Sequence, residues 1–416
     1  MLIEWAERAC DRVRRAAGES RLLAAAFRGE PARAGERETA RGGELATCIL
    51  LLAFPFLPLL PHPTAALTVG ACTVLFVTCV PWGGARCAVR FGATDRAVYA
   101  FALAYLLAGG MDGAVSALLV VSGWTAIRAS TEQGRARAAG CLVLSASVTA
   151  CIGIWEYVSG RAVLRWVDLS RFSGIGGRVC ATYENPNILA ILLLAAYPLA
   201  LCGAARSRDR TARAASGVGA VCIALCTVLT WSRGAWLGML TQTLLVLLLL
   251  SRRSMALLLL LPLPTAAALP LLPQSLTDRF ASIGSMGESS VRYRLQVWQG
   301  VRRMIAAAPF GIGTGETAFR RAWQQFAVAG TETVMHAHSL FLQVALDTGL
   351  AGVALFVLCI LTLLRAFRPS APSVAGLAAL GGLLVMGLFD HLWYARGMLW
   401  LFFAVAAGIP AAREDG

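Results

Sequence analysis

The sequence predicts an all-α polytopic membrane protein of about twelve transmembrane helices, with a partly helical outer-face loop between the ninth and tenth. Three observations predict it. Hydrophobic residues make up 57% of the 416 and charged residues only 14%, with a mean hydropathy of +0.66, whereas water-soluble domains carry about 25% charge. Apolar runs of bilayer length repeat along the chain. The basic residues, all arginine, recur in short clusters between those runs, so the net charge of +14 reads as helix-orienting charge and not as a nucleic-acid surface.

Residues 1–44 are expected to form a cytoplasmic or membrane-surface segment. Leu2, Trp5, Ala9 and Val13 recur at helical spacing, which fits either a surface-lying amphipathic helix or a solvated tail. Arg and Glu are mixed throughout without an apolar core, so it is not a signal peptide. Residues 45–272 are expected to hold spans one to nine, near 45–60, 65–81, 97–109, 112–127, 138–158, 187–205, 214–231, 234–250 and 255–272. A large extracytoplasmic loop follows over 273–339, and spans ten to twelve, near 340–364, 374–388 and 398–409, occupy 340–416 with a short cytoplasmic tail. Alternate loops are basic, with Arg86, Arg90 and Arg96, then Arg128, Arg135 and Arg137, then Arg206 to Arg213, Arg252 with Arg253, and Arg365 with Arg368. These loops, and hence both termini, are expected to be cytoplasmic. The twelve cysteines form no metal-ligand spacing. Cys222 and Cys226 share a helix face as buried thiols, and no outer disulfide is expected.

Arginine also stands in three places on the opposite side. One is the loop 159–186, with Arg161, Arg165, Arg171 and Arg178. Another is the corner Thr230-Trp231-Ser232-Arg233-Gly234, and the last is the long polar stretch 273–339. Arginines at helix ends can snorkel to headgroups. The other reading is an anion site, since guanidinium matches phosphate oxygens with a planar two-pronged fork and stays charged. Within the long stretch, Val291, Leu295, Trp298, Val301 and Ile305 predict an amphipathic helix with Arg294 near one edge. Pro309 stops it, Gly311, Gly313 and Gly315 supply a loop able to approach a ligand closely, and a second helix is expected from about Glu316 to Ala327. His336 and His338 precede span ten. No Asp, Glu or Cys stands near them in sequence to complete a metal site, so no metal is expected. An imidazole titrates near neutral pH and suits proton transfer from a hydroxyl.

These residues resemble a known family. The run from Arg178 to Asn187, with Thr182-Tyr183-Glu184-Asn185-Pro186-Asn187, is similar to a segment of the bacterial O-antigen ligase and O-antigen polymerase family. So are the Ser232-Arg233-Gly234 corner, Arg294 with Trp298, the turn Pro309-Phe310-Gly311-Ile312-Gly313, and His336-Ala337-His338. Ser339 stands where that pattern has Asn. The resemblance implies a membrane-embedded glycosyltransferase of the GT-C type in the cytoplasmic membrane of a bacterium. Its donor would be a glycan on a polyprenyl diphosphate, and its acceptor a hydroxyl of a glycan, lipid or protein. Arg233 and Arg294, with Arg178 as a third, are assigned to the diphosphate, and His338, with His336 in reserve, to the acceptor hydroxyl. Asp390, beside His391, and Asn187 would support them, although Asp390 and His391 also read as an interfacial pair, and Asn185 and Asn187 flanking Pro186 as a helix cap. Transfer is expected to invert the anomeric carbon and to need no metal or cofactor. The alternative is a transporter or flippase for an anionic or lipid-linked substrate, or a scaffold subunit of an envelope-assembly complex. The absence of charge from the middle of the spans and of an internal repeat speaks against transport.

Overall fold

The computed structural model describes residues 40–59, 92–163, 177–250, 277 and 289–409. The expected second and ninth spans, the segment before Ala40 and most of the linker 273–288 lie outside the described residues, as do Arg165 and Arg171. The described residues are helical, apart from one isolated antiparallel bridge between Val163 and Arg178. In chain order the helices are α1 (Ala40–Ala53), continued by a 3-10 turn over Phe54–Leu59, α2 (Ala93–Leu107), α3 (Gly110–Arg128) and α4 (Glu132–Val158). There follow α5 (Pro186–Arg206), α6 (Arg210–Leu229), α7 (Arg233–Leu250), α8 (Ser289–Ala307) and α9 (Glu316–Phe326), then α10 (Leu340–Ala366), α11 (Ala371–Gly387) and α12 (Arg396–Ala406).

Six of these, α3 to α7 and α10, are long and apolar enough to cross a membrane, and the stretch Glu44–Pro58, α11 and α12 are shorter apolar helices. The chain is therefore a multi-pass helical membrane protein. Helix starts follow the local sequence. Asn185 caps α5 by accepting from Asn187 N at 2.8 Å, with Pro186 supplying the fixed φ of the first turn. Asp209 and Ser370 cap α6 and α11 in the same way.

Small residues let the helices approach closely, the usual basis of association where lipid leaves no hydrophobic drive between them. A Cβ on Gly238 of α7 would meet Gly382 O of α11 at 2.7 Å. Beside that crossing the buried Gln242 donates to Leu194 O of α5 at 2.8 Å, tying three helices where no water competes. Helix α2 packs on α3 and α10, and α3 packs on α12. An aromatic cluster of Phe101, Tyr105, Phe356, Trp393, Phe402 and Phe403 fills the space between them. Because Leu392 and Trp393 are buried in that core, the neighbouring Asp390 and His391 are held in place.

The two ends of the bundle separate cleanly. At one, Thr131 N and Oγ1 donate to Glu44 at 2.7 and 2.6 Å, and Trp124 and Arg128 converge on Asp95. At the other lie Arg178, Asn187, Arg233, His338 and Asp390, together with α8 and α9. Those two helices carry their own small core of Val297, Val301, Met304, Phe319, Trp323, Val334, Ala337 and Leu346. The buried stripe of α8 thus runs through Val297, Val301 and Met304, and Leu295, expected in it, is 42% exposed. Val301 belongs to both, and Ile305, also expected, packs against this core. The shift brings Arg294 and Trp298 round toward the histidines, because residues one turn before Val297 and Val301 share their side of the helix.

Helix α10 is broken at Gly349, whose φ of 72° and ψ of −177° lie in a region open essentially to glycine. The proline turn after α8 fills the break. Ile312 N donates to Leu346 O at 2.7 Å and Leu350 N donates to Pro309 O at 2.9 Å, so the backbone groups freed by the kink are satisfied. The glycines of this turn lie close to other parts of the chain. Gly311 lies against Gly349 N, Gly313 against Ala108 O and Gly315 against the Asp112 carboxylate. A Cβ on Gly349 would meet Phe310 C at 2.5 Å, so Gly349→Ala is expected to cost at least about 2–3 kcal/mol from conformational strain and overlap together. Thermal unfolding of the purified variant in detergent checks this, and an unchanged midpoint would refute it.

Candidate active site

Two helix N-termini and three loops meet at the second end of the bundle. The start of α7 presents Ser232, Arg233 and Gly234, and the start of α5 presents Asn187. With Arg178, Arg294, Met386, Phe389 and Asp390 they line one cavity of about 70 Å³. Three guanidinium groups face a single carboxylate there, and the helix ends add partial positive charge. The cavity carries an excess of positive charge.

The loop that carries Arg178 is fixed by backbone and side chain together. Val163 and Arg178 exchange backbone bonds at 3.0 and 2.9 Å, and Val179 N donates to Leu229 O. Glu156, at the end of α4, accepts from Cys180 N at 2.9 Å and Ala181 N at 2.7 Å. Arg178 Nε donates to Thr230 O at 2.7 Å, and Nη2 donates to Asn187 Oδ1 at 2.9 Å. Burial pushes the Arg178 guanidinium down to about 10, which leaves it charged at neutral pH. Asn187 in turn donates to Asp390 Oδ2 at 2.6 Å. Asn187 is thus a bridge between Arg178 and Asp390, while the cap expected of the pair is made by Asn185.

Asp390 joins the cationic cavity to the histidines. Its Oδ1 accepts from His391 N at 2.9 Å and lies 3.8 Å from His338 Nδ1, an ion-pair separation longer than a hydrogen bond. Burial alone would raise this carboxyl, but His338, and then Arg294 and His336, hold it well below the usual carboxylate range. Three of the four histidines of the chain meet here, with ring centres 4.2 Å apart for His336 and His338 and 5.5 Å for His336 and His391. Tyr293 stands edge-on to His338 at 5.7 Å, and Tyr394 lies 5.0 Å from His336. His338 N donates to His336 Nδ1 at 3.2 Å, so that nitrogen carries no proton. Burial, and then His338 and His391, push the His336 imidazole well below its ordinary value, against a smaller opposing pull from Asp390. Burial likewise takes His391 to about 3.

These two neutral imidazoles predict acid sensitivity. Their folded-state pKa values lie below the unfolded value of about 6.5, so below that pH the unfolded chain binds more protons and stability falls with acidity. The loss runs from about 6.5 toward about 3 for His391, and Asp390 adds to it only below the unfolded carboxylate value of about 4. The unfolding midpoint is expected to drop between about pH 7 and pH 5, and less steeply in His391→Asn. A flat profile in that range would contradict the burial of uncharged histidine.

Backbone strain marks the same place. Among the described residues the non-glycine positions with positive φ are Ala181 (51°), Trp231 (55°) and His338 (48°). Each sits in one of the three motifs that surround the cavity, and such conformations, at about 1–3 kcal/mol apiece, persist only where surrounding structure enforces them. At His338 part of that enforcement is visible, since Trp298 Nε1 donates to Ala337 O at 3.1 Å. The helix that supplies Arg294 to the cavity therefore also grips the histidine turn.

All seven residues singled out in the sequence come together in one network, with His336 and His338 on one side of Asp390 and Arg178, Arg233 and Arg294 on the other. The sequence gives Asp390 and His391 only a supporting place and carries no sign of the central position of Asp390, nor of Tyr293, Tyr394 or Glu156. Asp390 also changes the metal question. With His336 and His338 it offers three ligand atoms within 4.8 Å of one another, a carboxylate that sequence proximity did not provide. The set fits a cation poorly, because Asp390 already accepts from Asn187 and His391 and Arg294 adds positive charge beside it.

The fold and this site define a multi-pass membrane protein with an arginine-lined cavity beside a histidine cluster at one end of its helices. Residues 218–357, about a third of the chain, match the family model described as O-antigen ligase. The matched segment runs from within α6 into α10 and contains Arg233, Arg294, His336 and His338, while Arg178, Asn187 and Asp390 lie outside it. The match supports glycan transfer of the O-antigen ligase or polymerase type. No curated protein matches the chain.

Proposed function

We propose that this protein transfers a glycan from a polyprenyl diphosphate carrier to an acceptor hydroxyl, in ligation or polymerisation of a cell-surface polysaccharide. It would do so at the outer face of the bacterial cytoplasmic membrane, as a GT-C type enzyme of twelve spans. Residues 273–339 form the extracytoplasmic loop in this reading, and the alternation of basic loops puts both termini in the cytoplasm. The observation that carries the proposal is that Arg178, Arg233 and Arg294 line one cavity with Asp390, and Asp390 faces the His338 imidazole.

The chemistry follows from that layout. The acceptor oxygen forms a bond to the anomeric carbon, the bond from that carbon to the diphosphate oxygen breaks, and the electron pair leaves with the lipid diphosphate. Arg233 and Arg294, with the α7 N-terminus, hold the charge that develops on the leaving group. His338 takes the hydroxyl proton on Nε2 while Asp390 faces Nδ1 and stabilises the cation formed. Attack and departure on opposite faces in one step invert the anomeric centre. Fixed arginines do what a divalent cation does in many glycosyl transfers, so the reaction is metal-independent.

Purified protein in lipid nanodiscs, given a polyprenyl-diphosphate glycan and a polysaccharide acceptor, is expected to form product with inverted linkage at a rate that EDTA leaves unchanged. Movement of labelled donor across vesicles without product would identify a carrier instead. Loss of product on chelation, restored by a divalent cation, would assign His336, His338 and Asp390 to a metal.

A further inference from the structure

The turn that presents the two histidines is held from below by residues that take no part in the chemistry above. Ala337, between them, is fully buried. Its N–H donates to Gln343 Oε1 at 2.9 Å, and Gln343 Nε2 donates to Asp347 Oδ1 at 2.8 Å. Both side chains are on the first segment of α10, between Leu340 and the break at Gly349, and both residues are buried.

The order of this chain fixes the amide. A primary amide could turn either end toward Ala337, and only its oxygen satisfies an N–H. The Oδ1 of Asp347 takes the NH₂ end of this amide and leaves Oε1 for the peptide N–H. Ser339, which begins α10, makes no capping bond with its side chain, so Gln343 is the side chain that reaches back over this helix start. In the next peptide unit, on the other side of the same residue, Trp298 Nε1 holds Ala337 O. Bonded through both N–H and C=O, Ala337 cannot rotate, and the positive φ of the next residue, His338, is imposed on it. The proline turn wedged at Gly349 keeps the short segment itself from sliding.

We propose that Gln343 and Asp347 are positioning residues, which set the His338 imidazole against Asp390 by clamping the peptide between the two histidines. The proposal rests on the reading that His338 acts in the transfer. It has a signature that a packing role lacks, because it depends on which hydrogen-bonding groups stand at 343 and 347 and not on volume.

The test compares kcat and donor KM in nanodiscs for Gln343→Met, Asp347→Leu and Asp347→Asn, with His338→Ala beside them. Gln343→Met keeps the volume and removes both bonds. Asp347→Leu frees the amide to turn, whereas Asp347→Asn still offers an oxygen to Gln343 Nε2. Gln343→Met and Asp347→Leu are expected to lower kcat about 10- to 100-fold, the range that misplacement of a catalytic group by an ångström produces. Donor KM should change less than about threefold, and Asp347→Asn should keep kcat within about threefold of the parent. A normal kcat in Gln343→Met, or an Asp347→Asn as inactive as Asp347→Leu, would overturn the proposal. Should Gln343→Met fail to accumulate, the contrast between the two Asp347 variants decides alone. Full activity in His338→Ala would remove the underlying site reading, whereas loss there beside a normal Gln343→Met removes only the clamp.

Discussion

Arg294→Ala and Arg233→Ala are each expected to lower transfer by about 10³-fold or more while the protein accumulates in the membrane and unfolds at its usual temperature. The size of the effect follows from where the charge acts. A preorganised group aimed at a developing anion contributes about 10²–10³ in kcat when it is a neutral donor, and an arginine on a leaving phosphoryl group contributes about 10³–10⁵. Both side chains line the cavity, so under the proposed function both would act on the diphosphate directly. Lysine restores the charge but not the planar fork, so Arg294→Lys is expected to recover only part of the rate. Arg178 should behave differently. Its guanidinium holds Thr230 O and Asn187 Oδ1, so Arg178→Ala leaves buried acceptors without a donor and lowers stability as well as rate. Normal transfer by either Arg233→Ala or Arg294→Ala removes that residue from the mechanism.

The second large effect is expected at His338. Loss of a general base costs about 10²–10⁴ in rate, and it should appear in kcat with little change in donor KM, because the diphosphate is bound on the other side of Asp390. Alanine changes two things here, since His338 holds a φ of 48°. Asparagine tolerates that conformation far better than most residues, so His338→Asn separates loss of the imidazole from relaxation of the turn. Equal loss in both variants assigns the effect to the side chain. Full activity in His338→Asn would show that only the backbone of this residue matters.

The sequence made the membrane class and the arginine sites legible because both depend on local signals. Apolar length is additive along a helix, and arginine on the side opposite the basic loops is conspicuous against strict sidedness. Arg233 and Arg294 are readable in this way, as is the stop of α8 at Pro309. Asp390 was harder to weigh, because its importance comes from three contacts with residues up to 203 positions away. Periodicity says which face of a helix is apolar, not which neighbour it meets. That is why Leu295 was placed on the buried stripe of α8 and Val297 and Met304 were not. Of the glycines after Pro309, Gly311 serves the kink at Gly349, a feature with no sequence signal beyond the glycine itself, while Gly313 and Gly315 lie against Ala108 O and Asp112. Trp298 was seen as part of a motif, but its bond to Ala337 O needed the fold.

The most direct measurement is a cryo-electron-microscopy structure of the protein in nanodiscs with a polyprenyl-diphosphate glycan bound. The expected result places the diphosphate within hydrogen-bond distance of the Arg233 and Arg294 guanidinium groups, with the anomeric carbon turned toward His338. A diphosphate bound away from these arginines, or a sugar on the face remote from the imidazole, would contradict the account.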